Sequence, residues 1–235
     1  MTNGGGRAAR GGGPAHRFYS VVVFVVLASL DNVAIGLVPP LYKPISAAFD
    51  VDQRVVGLVT AVSFLVSAMA AVGWAYVGDR ANRKPLLMVG TVLWAAGTAG
   101  SAFAGGYPAF FAAQVLAAIG LGAVGSVGFS VVTDLISPRR RGLVMSFWGL
   151  SQGVGTLAGT LVAGILGRTD WRLPFLVLSV VGLAATVAYF FTYDIRRGES
   201  EPELAGALAA GGDYDYRITR ADLPRIVARR SNVWL

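Results

Sequence analysis

The sequence contains no cysteine and a single histidine, His16, among its 235 residues. The absence of cysteine excludes disulfides, thiolate metal sites and thiol nucleophiles. One histidine in a Gly-rich stretch provides no imidazole pair for a metal and no catalytic triad, and the sequence has no phosphate-binding Gly-rich loop that ends in Lys-Ser or Lys-Thr. We therefore expect neither an enzyme active site nor a cofactor or metal ion.

Charged residues are also scarce. Asp, Glu, Lys and Arg make up 14% of the chain and hydrophobic residues 54%, whereas a soluble domain usually carries about 25% charge. Six apolar runs, each long enough to cross about 30 Å of hydrocarbon, account for this composition. They are roughly Phe18–Tyr42, Val55–Val77, Pro85–Ala104, Ala109–Ile136, Gly142–Leu166 and Leu173–Tyr193. Because backbone polar groups in lipid must bond internally, we predict an all-α membrane protein, a bundle of six transmembrane helices over residues 18–193.

The basic residues are distributed asymmetrically between these runs. If the N-terminus is cytoplasmic, sixteen of the twenty Lys and Arg residues fall on the cytoplasmic side, as the positive-inside rule requires. The net charge of +7 is then a sign of membrane topology. We predict a multi-pass protein of the plasma (inner) membrane that is surrounded by the lipid bilayer and has no nucleic-acid partner.

The two ends of the chain differ from the apolar runs in composition. Residues 1–17 are rich in Gly and Ala with three arginines and predict a disordered basic cytoplasmic tail. Residues 194–230 are charged and polar and predict a cytoplasmic linker, in which Thr219–Arg230 would form a short amphipathic helix. Residues 231–235 are interpreted as the start of a truncated seventh helix, because they follow a basic pair as other spans on this side do. The alternative is a tail that ends in apolar residues.

Asp31 is the only ionisable residue deep within a predicted span. An isolated charge at the bilayer centre costs at least about 2.5–3.5 kcal/mol, so such residues usually face a cavity or a partner. Two interpretations stay open. Asp31 is either a carboxylate that couples a proton or cation or contacts a solute, or a protonated or hydrogen-bonded acid that helps the helices to pack. Gln152, in the fifth run, is a further candidate for the same cavity.

Acidic and basic residues occur together in two loops on the cytoplasmic side. These residues are Asp79, Arg80, Arg83 and Lys84 in one loop and Asp134, Arg139, Arg140 and Arg141 in the other. Basic residues alone would be enough for topology, but an acid can cap a helix N-terminus or pair with the bases of a neighbouring loop. We therefore predict that the two loops form a gate of paired charges.

Three motifs in order carry a family resemblance. The stretch Ala75–Pro85 resembles the signature Gly-x-x-x-Asp-Arg-x-x-Arg-(Arg/Lys) of the major facilitator superfamily, with Ala75 in place of the Gly. The stretch Asp134–Gly142 resembles the family's loop after helix four, and Trp171–Phe175 resembles its Trp-Arg-x-x-Phe entry to helix six. Residues 76–84 are in addition similar to the Spinster-like branch.

The resemblance implies the N-terminal six-helix half of a twelve-helix secondary transporter, which moves a small organic solute by alternating access. The partner would be a missing C-terminal half or a second copy of the chain, and Asp79 would contact a helix of the C-terminal half. Two other functions stay open. One is a non-transporting truncated membrane module or assembly partner, and the other is transport of lipids or lysolipids.

The chain departs from the family pattern at several positions. Gln114 stands where the family often has an Arg tied to proton coupling, and Leu121 stands where the Spinster-like branch has a Glu. Asn32 replaces the Arg that follows the aspartate in that branch. These departures put proton antiport in question and leave Asp31 as the lone candidate for proton coupling. The candidate coupling or substrate residues as a group are Asp31, Asn32, Gln114 and Gln152. A cavity with one acid and no base favours neutral or cationic solutes.

Small residues recur at short intervals in spans four and five. We predict that Gly122, Gly153, Gly155 and Gly159 serve helix packing, because small faces let helices approach closely in lipid. A second interpretation is that spans four and five form a packed pair that slides during alternating access.

Overall fold

A computed structural model gives the structure of the protein and describes residues 14–135, 141–192 and 228. Within these ranges the regular structure is helical. The α-helices are α1 (Pro14–Leu37), α2 (Tyr42–Phe49), α3 (Gln53–Gly78), α4 (Arg83–Ala102), α5 (Tyr107–Ala123), α6 (Phe129–Leu135), α7 (Arg141–Leu166) and α8 (Leu173–Phe190). A short 3₁₀ turn, Pro39–Leu41, precedes α2, and a π-helical turn, Val124–Gly128, joins α5 to α6.

Six segments of the described chain are long and apolar enough to cross a membrane. They are Val22–Phe49, Gln53–Gly78, Arg83–Ala102, Tyr107–Val131, Met145–Leu166 and Leu173–Phe190. The first segment joins α1 to α2 and the fourth joins α5 to α6, so the eight helices correspond to six spans. The predicted bundle of six transmembrane helices is therefore confirmed.

Polar side chains and prolines set the points at which the spans begin. The side chain of Asp52 accepts a hydrogen bond from the backbone N–H of Arg54 at the start of α3, and Asn82 does the same for Lys84 at the start of α4. Each cap satisfies one of the N–H groups that a helix N-terminus leaves without a partner. Both α5 and α8 have a proline in the first turn, where its missing N–H removes no helical hydrogen bond.

Helix α1 begins and ends earlier than the predicted run Phe18–Tyr42, although the first span continues through α2 to Phe49. The helix starts at Pro14, so residues 14–17 are helical and not disordered, because proline suits the first turn of a helix. The helix ends at Leu37 and not at Tyr42, since Pro39 and Pro40 interrupt it and start the 3₁₀ turn.

Most of the two predicted end segments lies outside the described residues. These are the remainder of the basic tail, the cytoplasmic linker and the start of a seventh helix. Within them only Ala228 is described, and it is helical and exposed.

The spans pack in an order that leaves one side of the bundle open. In this order α7 packs on α1, α1 on α8, α8 on α4, α4 on α5, and α5 on α3. The helices at the two ends of the series are α3 and α7. Only 11% of the apolar stretch of α3 and 17% of that of α7 is buried, whereas 41% to 50% is buried in the other spans. The apolar side chains on these two helices therefore form most of the bundle's open face.

A cluster of aromatic rings closes one end of the bundle. Phe110 and Phe175 are fully buried, and their ring centroids are 6.0 Å apart. Trp171 lies 6.0 Å from Phe110, and Phe49 lies 5.4 Å from Trp171, both with rings nearly perpendicular. Edge-to-face contacts of this kind are favourable beyond the burial of apolar area. They join α2, α5 and the start of α8 beside the cavity that Phe175 lines.

Candidate functional site: a central cavity

A cavity of about 260 Å³ lies inside the bundle. Residues from α1, α3, α4, α5, α7 and α8 line it, so all six spans contribute to its wall. The wall is mainly apolar, but it includes the hydroxyl-bearing residues Thr60, Ser63, Ser67 and Thr98. No Lys, Arg or His occurs among the residues described as lining it. An apolar pocket with a few polar groups is the usual form of a site for a small organic ligand.

Asp31 is the one acidic residue in the described wall of this cavity. It lies in α1 and is only 8% exposed. Within the described part of the chain, no hydrogen bond or ion pair joins its carboxylate to another residue. An uncompensated carboxylate at this depth is unfavourable, so the cavity presents a strong hydrogen-bond acceptor that a proton or a cationic group would stabilise.

The other three predicted site residues line the same cavity. Gln114 donates a hydrogen bond from Nε2 to Ser101 Oγ at 2.9 Å, which holds its amide against α4. Asn32 is half-buried next to Asp31, and Gln152 is exposed on α7. The tertiary structure thus brings together all four residues, which are separated by up to 121 positions in the sequence.

Two further polar groups of the cavity wall were missed by the sequence reasoning. Trp94 is fully buried, and neither its Nε1 nor Ser63 Oγ has a hydrogen-bond partner in the described structure. A signal for Trp94 did exist, because a tryptophan in the middle of an apolar span carries an N–H that needs an acceptor. Ser63 gave no such signal, since a helical serine usually bonds to its own backbone.

Several of the predicted gate residues meet at one end of the bundle. The guanidinium of Arg83 donates to the carboxylate of Asp134 and forms an ion pair with it. Lys84 donates from Nζ to the backbone carbonyl of Thr192, just after α8. The Arg80 guanidinium lies 3.6 Å from the centre of the Tyr76 ring and donates to the Tyr76 carbonyl.

The remaining predicted gate residues are less fully described. The backbone N–H of Asp79 bonds to the Ala75 carbonyl at 2.9 Å and ends α3. Arg139 and Arg140 lie outside the described residues, and Arg141 is described only as the first residue of α7.

Three of the four predicted packing glycines lie against other helices. A Cβ on Gly159 would lie 2.1 Å from the Val33 carbonyl oxygen, and one on Gly155 would lie 2.5 Å from the Ser29 carbonyl oxygen. Both distances are far below contact distance, so only glycine lets α7 cross α1 this closely. A Cβ on Gly122 would lie 2.8 Å from the Ser67 carbonyl oxygen of α3.

The packing prediction was wrong for Gly153. This residue is exposed, and no described atom lies within 4 Å of where its Cβ would be. A helix turns by about 100° per residue, so Gly153 points about 200° away from Gly155. The interpretation of spans four and five as a packed pair was also wrong, because α7 packs on α1 while α5 packs on α3 and α4.

Six spanning helices around a cavity with a mainly apolar wall and a few polar groups define the class of the protein. It is a multi-pass membrane protein with an internal cavity, an architecture on which helical transporters are built.

Comparisons with known proteins identify the family. The family model of the Major Facilitator Superfamily matches residues 22–234, and the chain belongs to this superfamily. The chain is 26% identical over 193 residues to protein spinster homolog 3 of Danio rerio, which covers 79% of this chain and 37% of that protein. It is 30% identical over 169 residues to the sphingosine-1-phosphate transporter SPNS2 of Xenopus tropicalis, which covers 68% of this chain and 32% of that protein.

A solved structure shows the same fold. The crystal structure of a bacterial homolog to the human lysosomal transporter Spinster, in an inward-facing and occupied conformation, matches with a TM-score of 0.74 at 20% identity. The match covers 82% of this chain and 48% of that one, so the chain spans between about a third and about a half of the length of these relatives. The predicted resemblance to the superfamily and to its Spinster-like branch is confirmed.

Proposed function

We propose that the chain forms the N-terminal half of a secondary transporter that moves a small organic solute through the plasma (inner) membrane by alternating access. The observation that carries this proposal is the cavity, which all six spans line and in which the Asp31 carboxylate is buried. Facilitator-type transporters bind their solute near the bilayer midplane, between two six-helix halves. A C-terminal half, or a second copy of the chain, would cover the open face of α3 and α7.

The chemistry of the cavity supports a neutral or cationic solute. Asp31 is acceptor-only when ionised, and the described wall offers no base that would attract an anion. A cationic group of the solute and a proton would compete for the same carboxylate. Asn32, Gln114 and Gln152 would supply amide donors and acceptors to the uncharged parts of the solute.

The charged loops support a gate at the cytoplasmic end. Arg83 and Asp134 connect the start of α4 to the end of α6, and these two helices belong to different spans. A gate that opens during alternating access needs contacts that can break, and partly exposed ion pairs are weak enough for this. The N-terminus would lie on the same, cytoplasmic, side as this gate.

Lysolipid transport is a second candidate, and one specific observation favours it. One of the relatives reported above is named a sphingosine-1-phosphate transporter. Leu37, Phe175 and Leu178 provide an apolar wall for an alkyl chain, but the described wall lacks a base for a phosphate group. A lysolipid would therefore have to bind Asp31 through an amine.

The decisive experiment is flux through the complete reading frame in proteoliposomes. Radiolabelled tetraethylammonium, sphingosine and lysophosphatidylethanolamine serve as solutes, and Asp31→Asn is compared with Asp50→Asn. Asp50 is exposed and has a φ of 52°, a conformation that Asn also tolerates, so its variant is the matched control.

The expected result is that Asp31→Asn lowers the flux of the two primary amines, sphingosine and lysophosphatidylethanolamine, about tenfold or more, since hydrogen bonds to charged groups are worth about 1.5–3 kcal/mol. Tetraethylammonium has no N–H, so its flux should fall only through loss of the Asp31 charge. Asp50→Asn should leave all three fluxes unchanged. If flux is the same in the wild type and in Asp31→Asn, the proposed coupling and binding role of Asp31 is contradicted. Absence of flux for every solute would favour the non-transporting membrane module.

A further inference from the structure

The fourth span lines the cavity along one face. Its lining residues recur at intervals of about three or four positions, and they lie on the same side of the helix because each residue turns it by about 100°. They are Gln114, Ala117, Ala118, Leu121, Val124 and Gly125. Of these six residues, Gly125 alone is exposed. The backbone of the span is therefore open to the cavity at this position.

No packing contact requires a glycine at position 125. A Cβ on Gly125 would have no described atom within 4 Å, whereas one on Gly122 would lie 2.8 Å from the Ser67 carbonyl oxygen and one on Gly120 would lie 2.4 Å from the Trp94 backbone nitrogen. The φ of Gly125 is also outside the left-handed region. Since glycine is a poorer helix former than alanine, neither the packing nor the backbone explains this residue.

Other glycines in the described helices also border open space, but they do not lie in the cavity wall. No described atom lies within 4 Å of the Cβ position of Gly73 in α3 or of Gly164 in α7, and neither residue lines the cavity. Gly125 combines both properties, because the open space beside it belongs to the cavity. A side chain at position 125 would therefore enter the space that is available to a solute.

The helix is irregular at the same place. Gly125 is the second residue of the π-helical turn Val124–Gly128, and such turns are rare and frequently occur at functional sites. Val127, two residues later, is buried against Gly78 of α3, whose Cβ would lie 3.0 Å from Val127 Cγ2. Packing thus holds the turn through Val127, while Gly125 leaves the cavity side of the turn free.

We propose that Gly125 sets the size limit of the solute, because a bulky apolar group of the solute occupies the space that a side chain would fill. The inference rests on the proposed function and narrows its substrate class. Leu121 and Val124, which adjoin Gly125 in the wall, are apolar, whereas the ionised Asp31 carboxylate in the same wall is an acceptor only. A solute that suits both is an amine that carries a ring system or a branched alkyl group.

The competing case is a space that the solute does not enter. A cavity of about 260 Å³ can hold water molecules beside a small solute. A side chain at position 125 would then displace water and would change the binding of small and large amines to the same extent. The two cases therefore differ in how the protein discriminates between amines of different size.

The experiment measures the binding of two amines that carry the same cation and differ in one ring. They are 2-phenylethylamine and 2-(1-naphthyl)ethylamine. Dissociation constants are measured by isothermal calorimetry on the full chain in lipid nanodiscs, for the wild type, Gly125→Leu, Gly125→Ala and Gly73→Leu. Gly73→Leu is the matched control, because it adds the same side chain in open space outside the cavity wall. Gly125→Ala adds only a methyl group and serves as the test if Gly125→Leu does not fold.

The expected result is a change in the ratio of the two dissociation constants. Gly125→Leu should weaken the naphthyl amine relative to the phenyl amine by about tenfold, the lower end of the range for one methylene in an apolar pocket. Gly125→Ala should shift the ratio in the same direction by about threefold, because it fills less of the space. Gly73→Leu should leave the ratio unchanged. An unchanged ratio in both Gly125 variants, or no binding of the naphthyl amine to the wild type, would overturn the size limit.

Asp31→Asn separates this inference from the proposed function. It should weaken both amines equally, because both carry the same cation. If Asp31→Asn weakens both amines and the ratio never depends on Gly125, the proposed function stands and the size limit is wrong. If the ratio follows the side chain at position 125 but neither amine binds more weakly to Asp31→Asn, the proposed role of Asp31 fails while the size limit survives.

Discussion

Arg83, at the start of α4, forms an ion pair with Asp134, in the last turn of α6, although the two residues are 51 positions apart. Their side chains are 13% and 17% exposed, so the pair is only partly accessible to water. It connects the start of the third span to the end of the fourth. Arg83 thus connects two helices in the tertiary structure, in addition to any effect of its charge on membrane topology under the positive-inside rule.

Removing one member of this pair should destabilise the bundle. We expect Arg83→Gln to lower the free energy of unfolding by about 1–2 kcal/mol, between the values for exposed and fully buried pairs. Thermal unfolding in detergent measures the change, and the double variant Arg83→Gln/Asp134→Asn isolates the pair energy. Arg168→Gln is the control, because Arg168 is exposed and its side chain has no described partner. Additive effects of the two single variants would contradict a direct interaction.

The crossing of α1 and α7 should depend on one glycine and not on another nearby. Gly159→Ala would place a methyl group 2.1 Å from the Val33 carbonyl oxygen, and we expect a loss of about 1–3 kcal/mol from overpacking. Gly153→Ala meets nothing described within 4 Å and should stabilise α7 by about 0.5–1 kcal/mol, since Gly is the poorer helix former. Unfolding in detergent compares the two variants, and equal effects would contradict the observed helix crossing.

The proposed orientation in the membrane can be tested by single-cysteine labelling, because these 235 residues contain no cysteine. Ala81 and Gly105 are exposed and lie just beyond opposite ends of α4. We expect a membrane-impermeant maleimide to label Gly105→Cys in intact cells, and Ala81→Cys only after permeabilisation. The opposite pattern would reverse the orientation, and labelling of both in intact cells would show that α4 does not span the membrane.

Lys84 should hold the last turn of α8 in place. Its ammonium donates to the Thr192 carbonyl, one of the carbonyls near a helix C-terminus that lack a helical partner. We expect Lys84→Met to speed hydrogen exchange of the amides of Phe191 and Thr192 about fivefold, which corresponds to about 1 kcal/mol. Lys43→Met, which alters an exposed lysine in α2, is the control. Equal protection in both variants would show that the contact contributes nothing to the stability of α8.

The six spans could be predicted because each one depends only on the hydrophobicity of its own run of residues. A run of about 20 apolar residues must be helical in lipid whatever its neighbours are. The boundaries that were missed depend on finer local chemistry. Pro14 lets α1 begin early, and Pro39 and Pro40 end it at Leu37. The π-helical turn Val124–Gly128 has no equally clear signal, because its apolar and small residues suit a straight helix as well.

The candidate site was only partly predictable. Asp31 stood out because a carboxylate in hydrocarbon is unfavourable wherever it lies. Trp94 was missed, because its place in an apolar span shows that its N–H needs an acceptor but not whether the fold supplies one. Gly155 and Gly153 looked equivalent, and only the position of α1 makes one of them a packing residue.

The sequence by itself determined that this is a membrane protein of six spans, that it resembles the major facilitator superfamily, and that one buried acid needs a partner. The spans and the unfavourable acid follow from hydrophobic length, charge placement and the free energy of a charge in lipid, which depend on each segment separately. The resemblance rests on three sequence motifs. Only the tertiary structure decided that α7 packs on α1, that Arg83 pairs with Asp134, and that Asp31 and Trp94 line one cavity. The physical reason is that helices in lipid associate through close packing and specific hydrogen bonds. Such contacts depend on which faces meet, and hydrophobicity alone does not specify them.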